Sequence, residues 1–128
     1  MTNPSVPVSW GELIDKVTIL EIKSERLKAE AALRNVRHEL AVLRPFADEA
    51  VHNAGVAALK MELKRVNESL WQIEDDIREK EAAKSFDEEF VRLARAVYFT
   101  NDERGRLKVK INQALESDIT EEKQYSAY

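Results

Sequence analysis

Glycine and proline are scarce in this chain, and their scarcity limits what the chain can fold into. The 128 residues include three Gly and three Pro, and all three Pro lie at or before Pro45. Proline interrupts helices and glycine favours tight turns, so a chain with so few of them is expected to form long helices. The apolar fraction of 44% and charged fraction of 34% are typical of a chain that buries a core. We predict one all-α domain spanning residues 1–128.

Missing residue types exclude several kinds of chemistry. With no Cys and two His, the chain cannot form disulfides or thiolate metal sites, and we predict no metal site and no cofactor. The net charge of −4 argues against a nucleic acid partner. No apolar stretch approaches the ~20 residues that span a bilayer, and residues 1–7 lack the pattern of a secretory signal. We therefore expect no membrane contact and a cytoplasmic location.

Capping patterns and apolar spacing predict an antiparallel bundle of three long helices. A capping box at Ser9 and Glu12 opens the first helix, and Pro45 ends it. Apolar residues at alternating steps of three and four mark the second helix, and another box at Ser85 and Glu88 opens the third. The predicted segments are an extended lead (1–8), helix 1 (9–44), a connection (45–55), helix 2 (56–83), helix 3 (86–116) and a polar tail (117–128).

The apolar residues of predicted helix 1 do not stay on one face. At ~100° per residue, the apolar arc of its second half is rotated by roughly 130° from that of its first half. One explanation is a bend or break between about Ser24 and Ala32. The other is that the two halves pack against different partners, for example the helix's own bundle and a second copy. The second explanation predicts a homodimer.

Predicted helix 3 carries a polar stripe in its apolar face, provided that it is continuous. A further capping box at Thr100 and Glu103 allows a restart near Thr100, which would destroy the stripe. In the continuous form Asn67 of predicted helix 2 lies opposite the stripe. Its Arg and Lys suit a carboxylate or phosphate ligand, and the same residues also suit a hydrogen-bond layer between helices. The stripe consists of Asn101, Arg104, Lys108 and Asn112.

A second polar group lies where predicted helices 1 and 2 should meet. Glu21 lies in the apolar arc of helix 1, and Glu74 lies in that of helix 2, with Arg78 at its edge. Antiparallel pairing puts Glu21 level with the segment from Glu74 to Glu81. An unpaired buried carboxylate is costly, so we expect Arg78, Lys16 or Arg95 to neutralise this group, or one carboxyl to be protonated. The group is either a structural salt-bridge network or a ligand or catalytic site.

Several strings of this sequence together resemble a known family. They include WGELIDK at 10–16, TILEIK at 18–23, IED at 73–75, TND at 100–102 and EEK at 121–123. Over nearly its whole length the chain is similar to an uncharacterised bacterial family of short all-helical proteins, a domain of unknown function. The resemblance implies an association with glycosyltransferase or surface-polysaccharide contexts and no established activity. The family's motif residues include Glu21, Glu74, Arg78, Asn101, Arg104, Lys108 and Asn112.

These observations favour a non-enzymatic interaction or assembly module that pairs with a second copy or with another protein. The alternative is a protein that binds a small anionic ligand, or a helical enzyme such as a mutase or a Mg²⁺-dependent nucleotide hydrolase. The acidic pairs Glu12 with Asp15 and Asp76 with Glu79 have the spacing that the hydrolase would need. The candidate ligand-binding residues are Glu21, Asn67, Glu74, Arg78, Asn101, Arg104, Lys108 and Asn112.

Overall fold

The computed structural model describes residues 1–128 and contains four α-helices and no strands. The all-α class is confirmed. The expected bundle of three helices is wrong, because predicted helix 1 forms two separate helices. The helices are α1 (Trp10–Arg26), α2 (Glu30–Ala50), α3 (Ala54–Ala82) and α4 (Glu88–Ala114).

The chain leaves helical geometry between α1 and α2, inside the window where a bend or break was expected. Leu27 and Ala29 both have extended backbone angles. α2 then folds back along α1, so that Lys16 Nζ lies 3.0 Å from Glu39 Oε1. The break turns the rotated apolar arc inward, and the arc packs against α1 of the same chain. The α2 residues that join the buried core in this way are Val36, Leu40, Ala47 and Ala50.

Pro45 lies inside α2 and does not end it, so that prediction is wrong. A proline in a helix interior removes one backbone hydrogen bond and strains the preceding turn, at a cost of about 3 kcal/mol. The helix nevertheless continues because Ala47 and Ala50, beyond the proline, are buried in the core. Val51–Asn53 alone separate α2 from α3, and the Asn53 side chain caps the start of α3. The predicted connection 45–55 is therefore mostly helix.

The turn between α3 and α4 forms without glycine. The Ser85 N–H donates to the Lys80 carbonyl at 2.9 Å, and the Lys84 N–H donates to the Glu81 carbonyl at 3.0 Å. Lys84 has a φ of 53°. These two bonds around a left-handed residue are a Schellman motif, in which glycine usually occupies the left-handed position. The cap of α4 is then Asp87 and not Ser85 as predicted.

α4 runs without interruption through Thr100, so the continuous form of predicted helix 3 is confirmed. The capping box at Thr100 and Glu103 does not start a helix. All the polar residues of the stripe therefore keep a common helical phase.

α1 is the central helix and packs against each of the other three. At Gly11 it approaches α4 so closely that a Cβ atom would lie 2.5 Å from the Lys108 carbonyl oxygen. The Gly11 N–H, which has no partner inside its own helix, donates to Asn112 Oδ1 at 2.6 Å. The absence of a side chain at position 11 thus lets the backbones of α1 and α4 touch.

α3 and α4 extend beyond the core as a pair of helices, here called the distal hairpin (residues 71–100). Leu93 is the only buried residue in this segment. Its other inward-facing apolar side chains are half-buried and do not pack against the core. These side chains are Trp71, Ile73, Ile77, Phe90 and Val97.

Replacing Gly11 and Gly105 by alanine should have opposite effects on stability. Gly11→Ala forces α1 and α4 apart and should lower the free energy of unfolding by about 1–3 kcal/mol. Gly105→Ala should raise it by about 0.5–1 kcal/mol, because alanine restricts the unfolded chain. A Cβ at Gly105 meets nothing nearer than Lys123 Nζ at 3.9 Å. Urea unfolding followed by circular dichroism measures the free energy of unfolding of both variants. Equal changes in the two variants would contradict the close backbone contact at Gly11.

The ionised Asp87 should stabilise the protein in a pH-dependent manner. Hydrogen bonds from Lys80 and from the Phe90 N–H lower the pKa of Asp87 from 3.8 to about 2. Because this pKa is lower in the folded state, the stabilisation is present above the ordinary pKa and is lost as the pH falls towards 2. Asp87→Asn should therefore lower the melting temperature at pH 7 and have a much smaller effect at pH 2. Asp48→Asn, at an exposed position of α2, is the control and should show no such change.

Candidate functional site

A buried carboxylate, Asp15 of α1, is the centre of a polar cluster where α1, α3 and α4 meet. Asp15 is 1% exposed. Arg104 of α4 binds it with two nitrogens, Nε to Oδ1 at 2.9 Å and Nη2 to Oδ2. Asn67 of α3 adds a hydrogen bond from Nδ2 to Oδ1 at 2.9 Å. The two-pronged contact is the strong geometry of arginine with a carboxylate, and it joins three helices at one residue.

Thr18 completes this cluster. Its hydroxyl donates to the Asp15 backbone carbonyl at 2.7 Å and accepts a hydrogen bond from Asn67 Nδ2 at 2.9 Å. The hydrogen bonds that Arg104 donates to Asp15 raise the pKa of Arg104 and outweigh the opposing effect of burial. Arg104 therefore stays charged. No buried side-chain atom of the cluster lacks a hydrogen-bond partner, which is the arrangement expected of a structural layer.

Lys108 forms a second ionic layer one turn further along α4. Its Nζ lies 2.8 Å from Glu12 Oε2 of α1 and 2.8 Å from Glu121 Oε2 of the C-terminal tail. Burial alone would lower the pKa of Lys108, but the hydrogen bonds to the two carboxylates act in the opposite direction and the net pKa is raised. Lys108 in turn lowers the pKa of Glu121. Lys108 therefore stays charged at neutral pH.

The candidate residues on α4, together with Asn67, lie along the contact of α4 with α1. Arg104 binds Asp15, Lys108 binds Glu12, and Asn112 accepts the Gly11 N–H. Asn101 lies at the edge of this group, with its Oδ1 3.5 Å from Arg104 Nη1.

The other candidate residues are not part of this group. Glu21 lies near Lys60 Nζ at 3.4 Å and Arg44 Nη2 at 3.9 Å. Its Oε1 is buried without a hydrogen bond. Glu74 and Arg78 pair with each other at 3.1 Å on the distal hairpin, with side chains 48% and 78% exposed. The expected meeting of Glu21 with Glu74 and Arg78 is wrong, because α1 ends early and Glu21 faces the first turns of α3.

Five residues that hold the site together were not among the candidates. They are Gly11, Glu12, Asp15, Thr18 and Glu121. Of these, Gly11, Asp15 and Thr18 follow one another on α1 at steps of four and three, which places a small residue, a carboxylate and a hydroxyl on one stripe beside the apolar arc. That stripe is a signal that the sequence does contain. Glu121 offers no such signal, since it lies in a segment without periodicity.

The tail (residues 117–128) lies back along α4 and forms one wall of an open groove, here called the tail groove. The groove has a volume of about 1060 Å³. Three candidate residues, Asn101, Lys108 and Asn112, are among those that line it. It therefore connects part of the polar stripe with solvent.

No three His, Asp or Glu side chains are arranged to hold a metal ion. Glu12 and Asp15, which have the spacing of a magnesium-binding pair, instead bind Lys108 and Arg104. None of the four helices is long and apolar enough to span a bilayer.

The fold and site define a small all-helical protein whose helices are joined by buried ion pairs. It belongs to DUF6165, a family of unknown function whose model matches residues 5–128. Membership in a family of unknown function is thereby confirmed. Neither the curated proteins nor the solved structures include a significant match.

Removing the charge of Asp15 should destabilise the protein strongly. Asp15→Asn leaves Arg104 half-buried without its carboxylate, and breaking such a pair costs about 3–5 kcal/mol. Glu74→Gln breaks the exposed pair with Arg78 and should cost less than about 1 kcal/mol. Urea unfolding of both variants measures the difference. Comparable losses would show that the Asp15 cluster does not hold the fold together.

Proposed function

We propose that this protein is a non-enzymatic assembly module and that two copies associate through their distal hairpins. The observation that carries the proposal is the near-absence of burial in residues 71–100, where Leu93 alone is buried. Two helices packed only against each other leave part of their apolar surface uncovered. A second pair of helices is the usual solution and gives a four-helix bundle.

The exposed side of α4 in the distal hairpin supports this pairing. Val91, Arg95 and Phe99 lie one turn apart along the helix and line a shallow depression of about 400 Å³. Val91 is 54% exposed and Phe99 is 42% exposed. Large apolar side chains at regular helical spacing on a surface are typical of a helix-packing face.

The charges of the two hairpin helices differ. Residues 71–82 of α3 include five acidic and two basic side chains, whereas residues 88–100 of α4 include two of each, Glu88, Glu89, Arg92 and Arg95. Arg92 pairs with Glu89, and Arg95 is the remaining cation on the Val91 face. A two-fold axis can place α3 of one copy against α4 of the other, so that Arg95 meets the acidic helix twice, which favours a second copy as the partner.

The cationic candidate residues are already paired with carboxylates of the same chain, which supports an assembly role over an enzymatic one. Arg104 is bound by Asp15, and Lys108 is bound by Glu12 and Glu121. A ligand would have to displace these carboxylates. The family resemblance implies a bacterial source and a setting near glycosyltransferases or surface polysaccharides, and an assembly module is compatible with that setting.

A second candidate function is the binding of an anionic ligand at α4. The tail groove supports it, because Asn101, Lys108 and Asn112 line that groove. Lys108 pairs with two carboxylates at this groove. Glu12 belongs to the helical core, and Glu121 belongs to the tail.

A charge placed on the proposed packing face should separate the two copies. Val91→Glu would bury a carboxylate in the interface and should weaken association at least about tenfold, equivalent to about 1.4 kcal/mol. Val42→Glu is the matched control, because Val42 of α2 is 53% exposed against 54% for Val91. Light scattering at micromolar concentration should give twice the 14.7 kDa chain mass for wild type and the control.

The expected mass for Val91→Glu under the same conditions is that of one chain. Circular dichroism should show unchanged helicity in both variants, since both positions are on exposed helix surfaces. A wild-type mass of one chain throughout the micromolar range would refute self-association. If Val91→Glu and Val42→Glu dissociated the two copies equally, the interface would not be on the Val91 face.

A further inference from the structure

The tail is held on α4 by two anchors at its opposite ends. Glu121 pairs with Lys108 at 2.8 Å. The Tyr128 ring lies 4.7 Å from the Phe99 ring and 5.4 Å from the Tyr98 ring, centre to centre, and its hydroxyl donates to Asp102. The first anchor is therefore an ion pair of a carboxylate with Lys108, and the second is an aromatic ring packed against two other aromatic rings.

The direction of the tail is fixed where α4 ends. The Ser117 N–H donates to the Asn112 carbonyl at 2.8 Å, and the Glu116 N–H donates to the Gln113 carbonyl at 3.3 Å. Glu116 has a φ of 52°. This second Schellman motif reverses the chain and leads residues 117–128 back along the outer face of α4.

The tail covers this face only partly. Every residue from 118 to 128 is exposed. Tyr98 and Phe99 each remain 42% exposed beneath Tyr128, and the groove beside the tail still has a volume of about 1060 Å³. A segment bound in this way gains little from burial, so an external segment with the same two anchors can replace it.

The charges under the tail suit an acidic replacement. When Glu121 leaves, Lys108 keeps its pair with Glu12, so no buried charge is left unpaired. Arg106 and Lys110 lie one turn apart on the same helix and line the groove, and neither forms an ion pair within the chain. The uncovered face of α4 is therefore basic beside an aromatic cleft.

We propose that this face of α4 docks an acidic peptide segment of a partner protein. The segment would carry an aromatic residue at the same sequence spacing from its acidic anchor as Tyr128 has from Glu121. The chain's own tail lies on this face and acts as an intramolecular competitor. The proposed site shares Phe99 with the proposed packing face, because the Tyr128 ring lies against Phe99, whereas Lys108 and Tyr98 lie outside that face.

The test uses the full-length chain and a fluorescein-labelled peptide with the sequence of residues 117–128 as the probe. The variant Glu121→Gln/Tyr128→Ser removes both anchors of the tail and leaves the helices unchanged. The matched control is Glu122→Gln/Tyr125→Ser, which makes the same changes at tail positions that form no hydrogen bond or ion pair. Fluorescence anisotropy gives the dissociation constant for each protein.

The anchor variant should bind the peptide at least about tenfold more tightly than wild type, because a tethered competitor acts at a high effective concentration. The control variant should bind it as wild type does. A peptide in which Glu121→Gln and Tyr128→Ser are both made should bind none of the proteins. This measurement uses wild-type protein as well and does not depend on the folding of any variant. Equal affinity of the anchor and control variants, or undiminished binding of the altered peptide, would overturn the proposal.

Discussion

The ion pair of Asp15 with Arg104 is the interaction on which the arrangement of the other helices depends. Asp15 lies at the point where α1 meets both α3 and α4, and its carboxylate is bound from both sides. A charge in that position is tolerated only when it is paired and hydrogen-bonded. Sliding α4 by one turn would separate the carboxylate from the guanidinium, and sliding α3 by one turn would remove the Asn67 hydrogen bond. The pair therefore favours one register of three helices, and the backbone contact at Gly11 favours the same one.

Most of the helical structure follows from the periodicity of the sequence, but some helix ends do not. The cap at Ser9, the break after α1 and the continuity of α4 were all within the predicted alternatives, since capping and apolar phase are local properties. The prediction at Pro45 failed because the burial of Ala47 and Ala50 beyond the proline acts against its local penalty. The turns at Lys84 and Glu116 lie at the ends of predicted helices 2 and 3, although neither uses the glycine that such turns favour.

The polar site was predictable only as far as it depends on one helix. The α4 residues share a phase, so the helical wheel groups them correctly. The relative position of α1 and α3 is not a local property, and for that reason the expected meeting of Glu21 with Glu74 failed. The partner of Asp15 lies 89 positions away along the chain. The stripe of Gly11, Asp15 and Thr18 indicates which acid of α1 is buried, but it does not indicate which residue of α4 pairs with that acid.

The long separation of Asp15 and Arg104 along the chain also constrains the order in which the chain folds. α3 and α4 are neighbours in sequence and can pair as soon as both are made, as can α1 and α2. The contacts of α1 with α4 must instead close a loop of nearly the whole chain, and loop closure on that scale is slow compared with forming a helical hairpin. The central helix is thus the first to be synthesised and the last to find all of its partners. Until α4 emerges, Asp15 has no Arg104 with which to pair.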